Sequence, residues 1–211
     1  MRVRRVLHGL NFTMATRLAC WHCGIPVAAT DPVCPSCGKV QPPPAAGTQP
    51  DRFATLGFAP SFDEPPGLDD KFRALSRKLH PDRFARATPQ ERRYSLEQTT
   101  LLNEAYKTLK DPVRRAEHLL ALRGIKGDPK MSAEFLEQTM EDREKLMEAK
   151  ASGEPLDELA QGVRERRDQT LHRVRALVEN GSDLEQAAEL LARMRYYARY
   201  LDEVEGRSVE L

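Results

Sequence analysis

Four cysteines and one His-Pro-Asp tripeptide are the residues of this chain best suited to chemistry. The cysteines stand as Cys20-Trp21-His22-Cys23 and Cys34-Pro35-Ser36-Cys37, two Cys-x2-Cys pairs ten residues apart. Two thiolates two residues apart can grip one ion from a tight knuckle. Two knuckles complete a tetrahedral four-sulfur shell, the usual closed structural zinc site. Gly24 and Gly38 follow the pairs and suit the left-handed turn that closes such a knuckle. The doubled spacing predicts a structural Zn2+ held by Cys20, Cys23, Cys34 and Cys37, with iron as the alternative metal and disulfides as the alternative chemistry. With four sulfurs available, His22 is expected to be a bystander. So small a segment could hardly fold without its ion.

His80-Pro81-Asp82 is less specific by itself. A histidine near a helix end interacts favourably with the dipole, proline just beyond is a common stop, and aspartate is a plausible cap for the next helix. Ordinary punctuation therefore explains the tripeptide. A catalytic role is poorly supported, because no nucleophile elbow, glycine-rich phosphate loop or second histidine at metal-ligand spacing accompanies it.

The elements around these residues read as helices. Leu68, Phe72, Leu75 and Leu79 recur at i, i+4, i+7 and i+11, with Lys71, Arg73, Arg77 and Lys78 on the remaining surface. Pro81 ends this helix. A second is expected from about Pro89, through Tyr94, Leu102, Ala105, Tyr106 and Leu109, to the Asp111-Pro112 break. The two make an antiparallel hairpin with "HPDRFARAT" as its connection. A short helix over 112–122 follows and stops at Gly124. Three longer patterns then cover 132–151, 156–179 and 183–204, the last opened by a capping box of Ser182 with Glu185. Short connections make them an antiparallel bundle. No region outside the cysteine module reads as strand-rich.

Composition agrees with a mainly helical protein: 31% of the 211 residues are charged and 6% aromatic, and the net charge is +1. The charge is unevenly spread. Residues 71–93 hold eight basic and two acidic side chains, whereas 131–149 hold six acidic and two basic. Separate basic and acidic faces suit two different partners. No apolar run approaches the roughly 20 residues of a membrane helix. The first 30 residues lack Asp and Glu and carry Arg2, Arg4, Arg5 and Arg17. That suits either an organellar transit segment or a start upstream of Met14.

In context, the stretches "FATLGF" (53–58), "LDDKFRALSRKLHPDRF" (68–84) and "LNEAYKTLKDPVRRAEHLL" (102–120) resemble a J-domain. With "FLEQTMEDREKL" (135–146) and "LLARMRYYARYLDEV" (190–204), the resemblance narrows to the HscB/Jac-type co-chaperones of iron–sulfur cluster assembly and covers roughly 51–204. The cysteine module with its proline tail looks like the extension of the animal mitochondrial members. The implied architecture is an L-shaped, mainly α protein. Its parts are an extension (1–19), a metal module (20–40), a proline-rich linker (41–50), a J-domain (51–123), a connector (124–131) and a three-helix scaffold-binding domain (132–205).

The resemblance also implies function. A J-protein docks on an ATP-loaded heat-shock chaperone of the HscA/DnaK class and accelerates its ATP hydrolysis, with no catalytic residues of its own. The chaperone-facing residues would be His80, Pro81 and Asp82, with Lys71, Arg73, Arg77, Lys78 and Arg83 steering towards an acidic surface. The second partner would be an IscU-type scaffold. Carried over by position, its contacts are Leu136, Glu137, Met140, Glu141, Arg143 and Glu144 on one helix, with Arg195 and Tyr196 on the last. Residues 136, 140, 143 and 144 share one helix side. Glu137 departs from the apolar residue that relatives often carry, which weakens the patch, and Phe135 is expected in the core. A weak homodimer is left open.

Neither nucleic acid nor membrane is an expected partner. A nucleic-acid-binding zinc ribbon is the alternative function, although aromatics are not interleaved with the basic residues. A redox enzyme using the cysteines is the weakest reading. The arginine- and alanine-rich usage leans towards a bacterial cytoplasm, with the mitochondrial matrix as alternative.

Overall fold

The computed structural model describes residues 17–44, 50–125, 127 and 129–207; the arginine-rich start and the middle of the proline-rich stretch lie outside this range. The chain divides into two compact units, Met1–Lys110 and Asp111–Leu211.

The first unit begins with the cysteine module. Strands β1 (Arg17–Ala19) and β2 (Pro26–Ala28) pair antiparallel, Leu18 opposite Val27, and a single bridge joins Val33 to Val40. The two knuckles repeat one hydrogen-bond pattern. Gly24 N donates to Cys20 O and Gly38 N to Cys34 O, each at 3.0 Å, while Cys20 N and Cys34 N donate to Ile25 O and Lys39 O at 2.9 Å. Gly24 and Gly38 have φ of 74° and 70°. A Cβ would meet nothing within 4 Å at either glycine, so backbone strain rather than space favours glycine.

The helical hairpin follows. A short helix, α1 (Arg52–Leu56), is capped by Asp51, whose carboxylate accepts from Phe53 N at 2.9 Å. Next come α2 (Leu68–Leu79), a 3-10 turn (Pro81–Phe84) and α3 (Pro89–Lys110). The stripe expected on α2 is the buried one: Leu68, Leu75 and Leu79 are core, and Phe72 stacks on Tyr106 with ring centroids 4.1 Å apart. Opposite them α3 buries Leu102, Ala105 and Leu109. Truncating a buried leucine such as Leu79 to alanine costs about 2–5 kcal/mol. The hairpin is also tied where α2 ends. Ser95 Oγ and Thr99 Oγ1 of α3 both donate to Leu79 O, at 2.6 and 3.2 Å, which satisfies a carbonyl that the helix itself leaves without a partner.

The second unit holds α4 (Pro112–Leu122), α5 (Ala133–Ser152), α6 (Asp157–Asn180) and α7 (Leu184–Val204). The last three lie within one residue of the expected spans. Helices α6 and α7 pack along their length through Val163, Val174 and Val178 on one side and Ala187, Leu191, Met194 and Leu201 on the other. On α7 Leu190, Tyr197 and Tyr200 are also buried, while Ala198 is exposed. Helix α5 is strapped on by polar links. Asp142, only 6% exposed, pairs with Arg166 of α6 at 2.9 Å, and Lys150 pairs with Glu203 of α7 at 3.0 Å.

Three details differ from the sequence reading. Helix α4 packs against α6 and α7, so the packing boundary falls at Lys110–Asp111 rather than after residue 123. Helix α7 is capped by Asp183, not Ser182. The Asp183 carboxylate accepts from Gln186 N at 3.0 Å from a left-handed backbone (φ 41°), and Ser182 N is instead spent on Leu177 O at the end of α6. The third concerns Gln41–Pro44, which were read as the start of a linker. Gln98 Nε2 of α3 donates to the carbonyls of Gln41 and Pro42, at 3.2 and 3.3 Å. Among the described residues no helix is long and apolar enough to cross a membrane.

Candidate metal centre and docking sites

The knuckles bring all four cysteine sulfurs within 4.8 Å of one another. Cys20 Sγ lies 3.7 Å from Cys37 Sγ, and Cys23 Sγ lies 3.8 Å from Cys34 Sγ. A tetrahedral shell with metal–sulfur bonds of about 2.3 Å has sulfur–sulfur edges of about 3.8 Å. The residues therefore fit a single four-coordinate ion, and all four are free thiols rather than disulfides. His22 is exposed and takes no part in the cluster; its ring meets Trp21 edge-on at 5.6 Å.

The sulfurs do not ionise alike. At Cys20 burial acts to raise the thiol, but donors from the Cys23 and His22 backbone and the Gln41 side chain outweigh it and lower it to about 6. At Cys37 a backbone bond from Lys39 acts to lower the thiol, but burial and the three neighbouring sulfurs push it up to about 12. A full set of four thiolates needs a cation among them.

The His80-Pro81-Asp82 turn stands at the exposed end of the hairpin. His80 both ends α2 and opens the 3-10 turn, and its Nδ1 accepts from Asp82 N at 3.3 Å. The cap of this segment is thus the histidine, not the aspartate that the sequence suggested. Asp82 is left with its carboxylate in solvent, its side chain 89% exposed and 3.5 Å from His80 Nδ1. Phe84 is buried and anchors the turn from beneath. Lys71, Arg73, Arg77, Lys78 and Arg83 are all exposed. Arg73 pairs with Asp70 at 3.2 Å; among the described residues Lys71, Arg77, Lys78 and Arg83 form no ion pair. The turn therefore offers one exposed carboxylate after a helix that carries several unpaired cations.

The candidate scaffold contacts of the second unit lie on α5 and α7. Leu136 and Met140 are 51% and 65% exposed, while Phe135 is core, as expected. Glu137, Arg143 and Glu144 are exposed, and Glu141 pairs with Lys145 at 3.6 Å. Arg195 pairs with Glu117 of α4 at 3.3 Å. Tyr196 is only half exposed. Its hydroxyl donates to Thr139 O of α5 at 3.0 Å, its ring meets Phe135 edge-on at 5.6 Å, and burial pushes its phenol up to about 12. Tyr196 therefore braces α7 against α5 and offers only part of its ring.

Two further exposed residues, Met147 and Arg199, belong to this surface. Met147, 69% exposed, continues the stripe of Leu136 and Met140 at i+11 and i+7, a spacing already visible in the sequence. Arg199 and Tyr200 line a groove of about 410 Å³ with Arg143, Arg195 and Tyr196. Their part in it depends on how α5 meets α7.

Comparison with known proteins places these features together. Residues 131–205 match a family model described as the HSCB C-terminal oligomerisation domain. The co-chaperone protein HscB homologue of Shewanella baltica is 36% identical over 162 residues, covering 72% of this chain and 93% of the relative. That of Shewanella pealeana is 35% identical over the same extent. Among solved structures, the human co-chaperone protein HscB superposes with a TM-score of 0.77 at 31% identity, covering 92% of this chain and all of the other. The chaperone HscB from Vibrio cholerae gives 0.68 at 32% identity over 74% of this chain. With a J-domain hairpin, a matched C-terminal helical domain and a four-cysteine module, the chain belongs to the HscB family of co-chaperones.

Proposed function

We propose that this co-chaperone accelerates the ATPase of an HscA/DnaK-class chaperone and presents to it an IscU-type iron–sulfur scaffold. The observation that carries the first half is the exposed Asp82 carboxylate, held out next to unpaired Arg83 and just after a helix that bears unpaired Lys71, Arg77 and Lys78. The cations steer the turn towards an acidic chaperone surface. Asp82 then makes a charge-assisted hydrogen bond to a cationic group of the partner. The effect is a bias between two states of the chaperone, so this chain supplies binding energy and no chemistry.

The exposed Leu136, Met140 and Met147, rimmed by Glu137, Arg143 and Glu144, support the second half. A few apolar anchors with a charged rim suit a moderate-affinity interface. In the cysteine module the proposed ion is zinc, which four thiolates at these separations suit best. The nucleic-acid reading is less well supported. Phe72, the aromatic residue within the basic α2, is stacked on Tyr106 rather than free to stack on a base. The deciding experiment is the ATPase rate of the chaperone alone, with this protein, and with this protein plus scaffold. Stimulation that rises again with scaffold is expected; unchanged rates would overturn the reading.

A further inference from the structure

The four-sulfur centre does not stand apart from the hairpin. Three residues in or beside its knuckles reach α3 at Glu91, Tyr94 and Gln98, which are spaced i, i+3 and i+7 and therefore share one face of the helix. Lys39 Nζ meets Glu91 at 2.9 Å, and that carboxylate, its side chain only 4% exposed, also accepts from Thr88 Oγ1 at 3.0 Å. Trp21, inside the first knuckle, donates Nε1 to Val40 O at 2.7 Å and sets its ring edge-on to Tyr94 at 6.1 Å. Gln41 makes the third link, and it touches the sulfur cluster directly.

Gln41 is buried, 8% exposed, and its amide nitrogen is fully committed. Nε2 donates to Cys20 Sγ at 3.4 Å and to Lys39 O at 2.8 Å. Its backbone N donates to Pro32 O at 2.8 Å, and its backbone O accepts from Gln98 Nε2 at 3.2 Å. One residue thus carries a hydrogen bond to a sulfur ligand at one end and a hydrogen bond from α3 at the other. The neighbouring α3 residues Ser95 and Thr99 hold Leu79 O, the residue before His80. The line Cys20–Gln41–Gln98–α3–Leu79 is continuous, and each step is a contact of 3.4 Å or less between buried or half-buried groups.

We infer that Gln41 is a positioning residue of the four-sulfur centre and couples it to α3, so that metal loading and the order of α3 beside the His80 turn support each other. A donor to a ligand thiolate lowers its charge density and fixes its direction, and it can do so only while its own backbone is held. Without an ion nothing bonds the four sulfurs of the two knuckles together, and Lys39, Trp21 and Gln41 lose their fixed places against α3. Reciprocity follows from linkage: what loosens α3 weakens the metal site, and what removes the metal loosens α3. The inference is independent of any effect on a chaperone.

The test uses the full chain loaded with zinc. Zinc affinity is measured by competition with a chromophoric chelator, and amide hydrogen exchange is followed over 77–82 and 89–99 with and without zinc. Gln98→Ala lies on α3, remote from the sulfurs, and removes only the far end of the link. It is expected to weaken zinc binding about tenfold, the lower end of what loss of support to a metal ligand costs. Gln41→Leu should weaken it at least as much. Removing zinc should raise exchange across 89–99 in the parent chain, and less in Gln98→Ala. Circular dichroism and exchange in the second unit check that each variant is folded; should Gln41→Leu fail to fold, Gln98→Ala decides alone. Zinc affinity within twofold of the parent in Gln98→Ala, exchange over 89–99 indifferent to zinc, or a chain that takes up no zinc would each overturn the inference.

Discussion

The His80 turn and the α5 face are both exposed, yet they are built from opposite materials. The turn is polar: a free carboxylate, a histidine spent on a backbone N–H, and cations without partners. The α5 face is apolar at its centre, with Leu136, Met140 and Met147 in water and the aromatic Tyr196 half withdrawn to brace them. Charge acts at range and sets encounter rate and orientation, whereas apolar contact acts only on touching and sets residence time. The turn suits a brief regulatory visit and the face suits carrying a cargo. The difference teaches that, on the proposed reading, one chain would meet two partners by two physical means.

The comparison can be broken most sharply at the turn. Asp82→Asn keeps the shape and removes the charge, and a charge-assisted hydrogen bond is worth about 1.5–3 kcal/mol. Chaperone stimulation should fall by on the order of tenfold or more with scaffold binding unchanged, as read by steady-state ATPase and by titration calorimetry. Undiminished stimulation by a folded variant would remove the turn from the mechanism.

The next largest effect is expected on α5. Leu136→Ala with Met140→Ala should weaken scaffold binding by roughly 30-fold, taking about 1 kcal/mol for each truncated anchor. This binding should change little with salt, and ATPase stimulation without scaffold should stay at the parent level. A strong salt dependence at this face would erase the distinction between the two surfaces. Met147→Ala should have a smaller effect, below about tenfold, since it lies at the end of the stripe. An effect equal to that of Met140 would shift the centre of the patch along α5.

Steering is expected to show in rates. Replacing Arg77 and Lys78 by glutamine should slow association with the chaperone several-fold at low salt and leave dissociation nearly unchanged, measured by stopped flow. A change confined to dissociation would mean that these cations lie inside the contact rather than around it.

The smallest effect concerns the hairpin that presents the turn. Asp69 Oδ1 accepts from Tyr106 Oη at 3.0 Å and Lys110 Nζ at 3.2 Å, and these bonds hold its carboxyl below the ordinary carboxylate range. The stabilisation is therefore present above the unfolded value of about 3.9 and is lost as pH falls through the lower folded value. Asp69→Asn should flatten part of the acid limb of the unfolding curve. Lys110 also pairs with Glu64 at 2.9 Å, which limits the change.

Much of this could be read before folding because the signals are local. The knuckle spacing, the glycines after each pair, the α2 stripe and the prolines at 81 and 112 are written within a few residues of the features they control. Leu136, Met140 and Met147 could be placed on one side of a helix by spacing alone. That Leu136 and Met140 face water while Phe135 faces the core came from the family resemblance and not from spacing, because one period serves a buried stripe and an exposed one equally.

Sequence by itself determined the spans of α2 to α7, the four-cysteine cluster and the position of the His-Pro-Asp turn, since each follows from backbone preference or short-range geometry. Only the tertiary structure decided the rest. It assigned α4 to the second unit, gave the cap of α7 to Asp183, withdrew half of Tyr196, and set Lys39, Trp21 and Gln41 against Glu91, Tyr94 and Gln98. Those outcomes depend on partners some 50 residues or more away or on competition among neighbouring polar groups, and no local pattern encodes which contact wins.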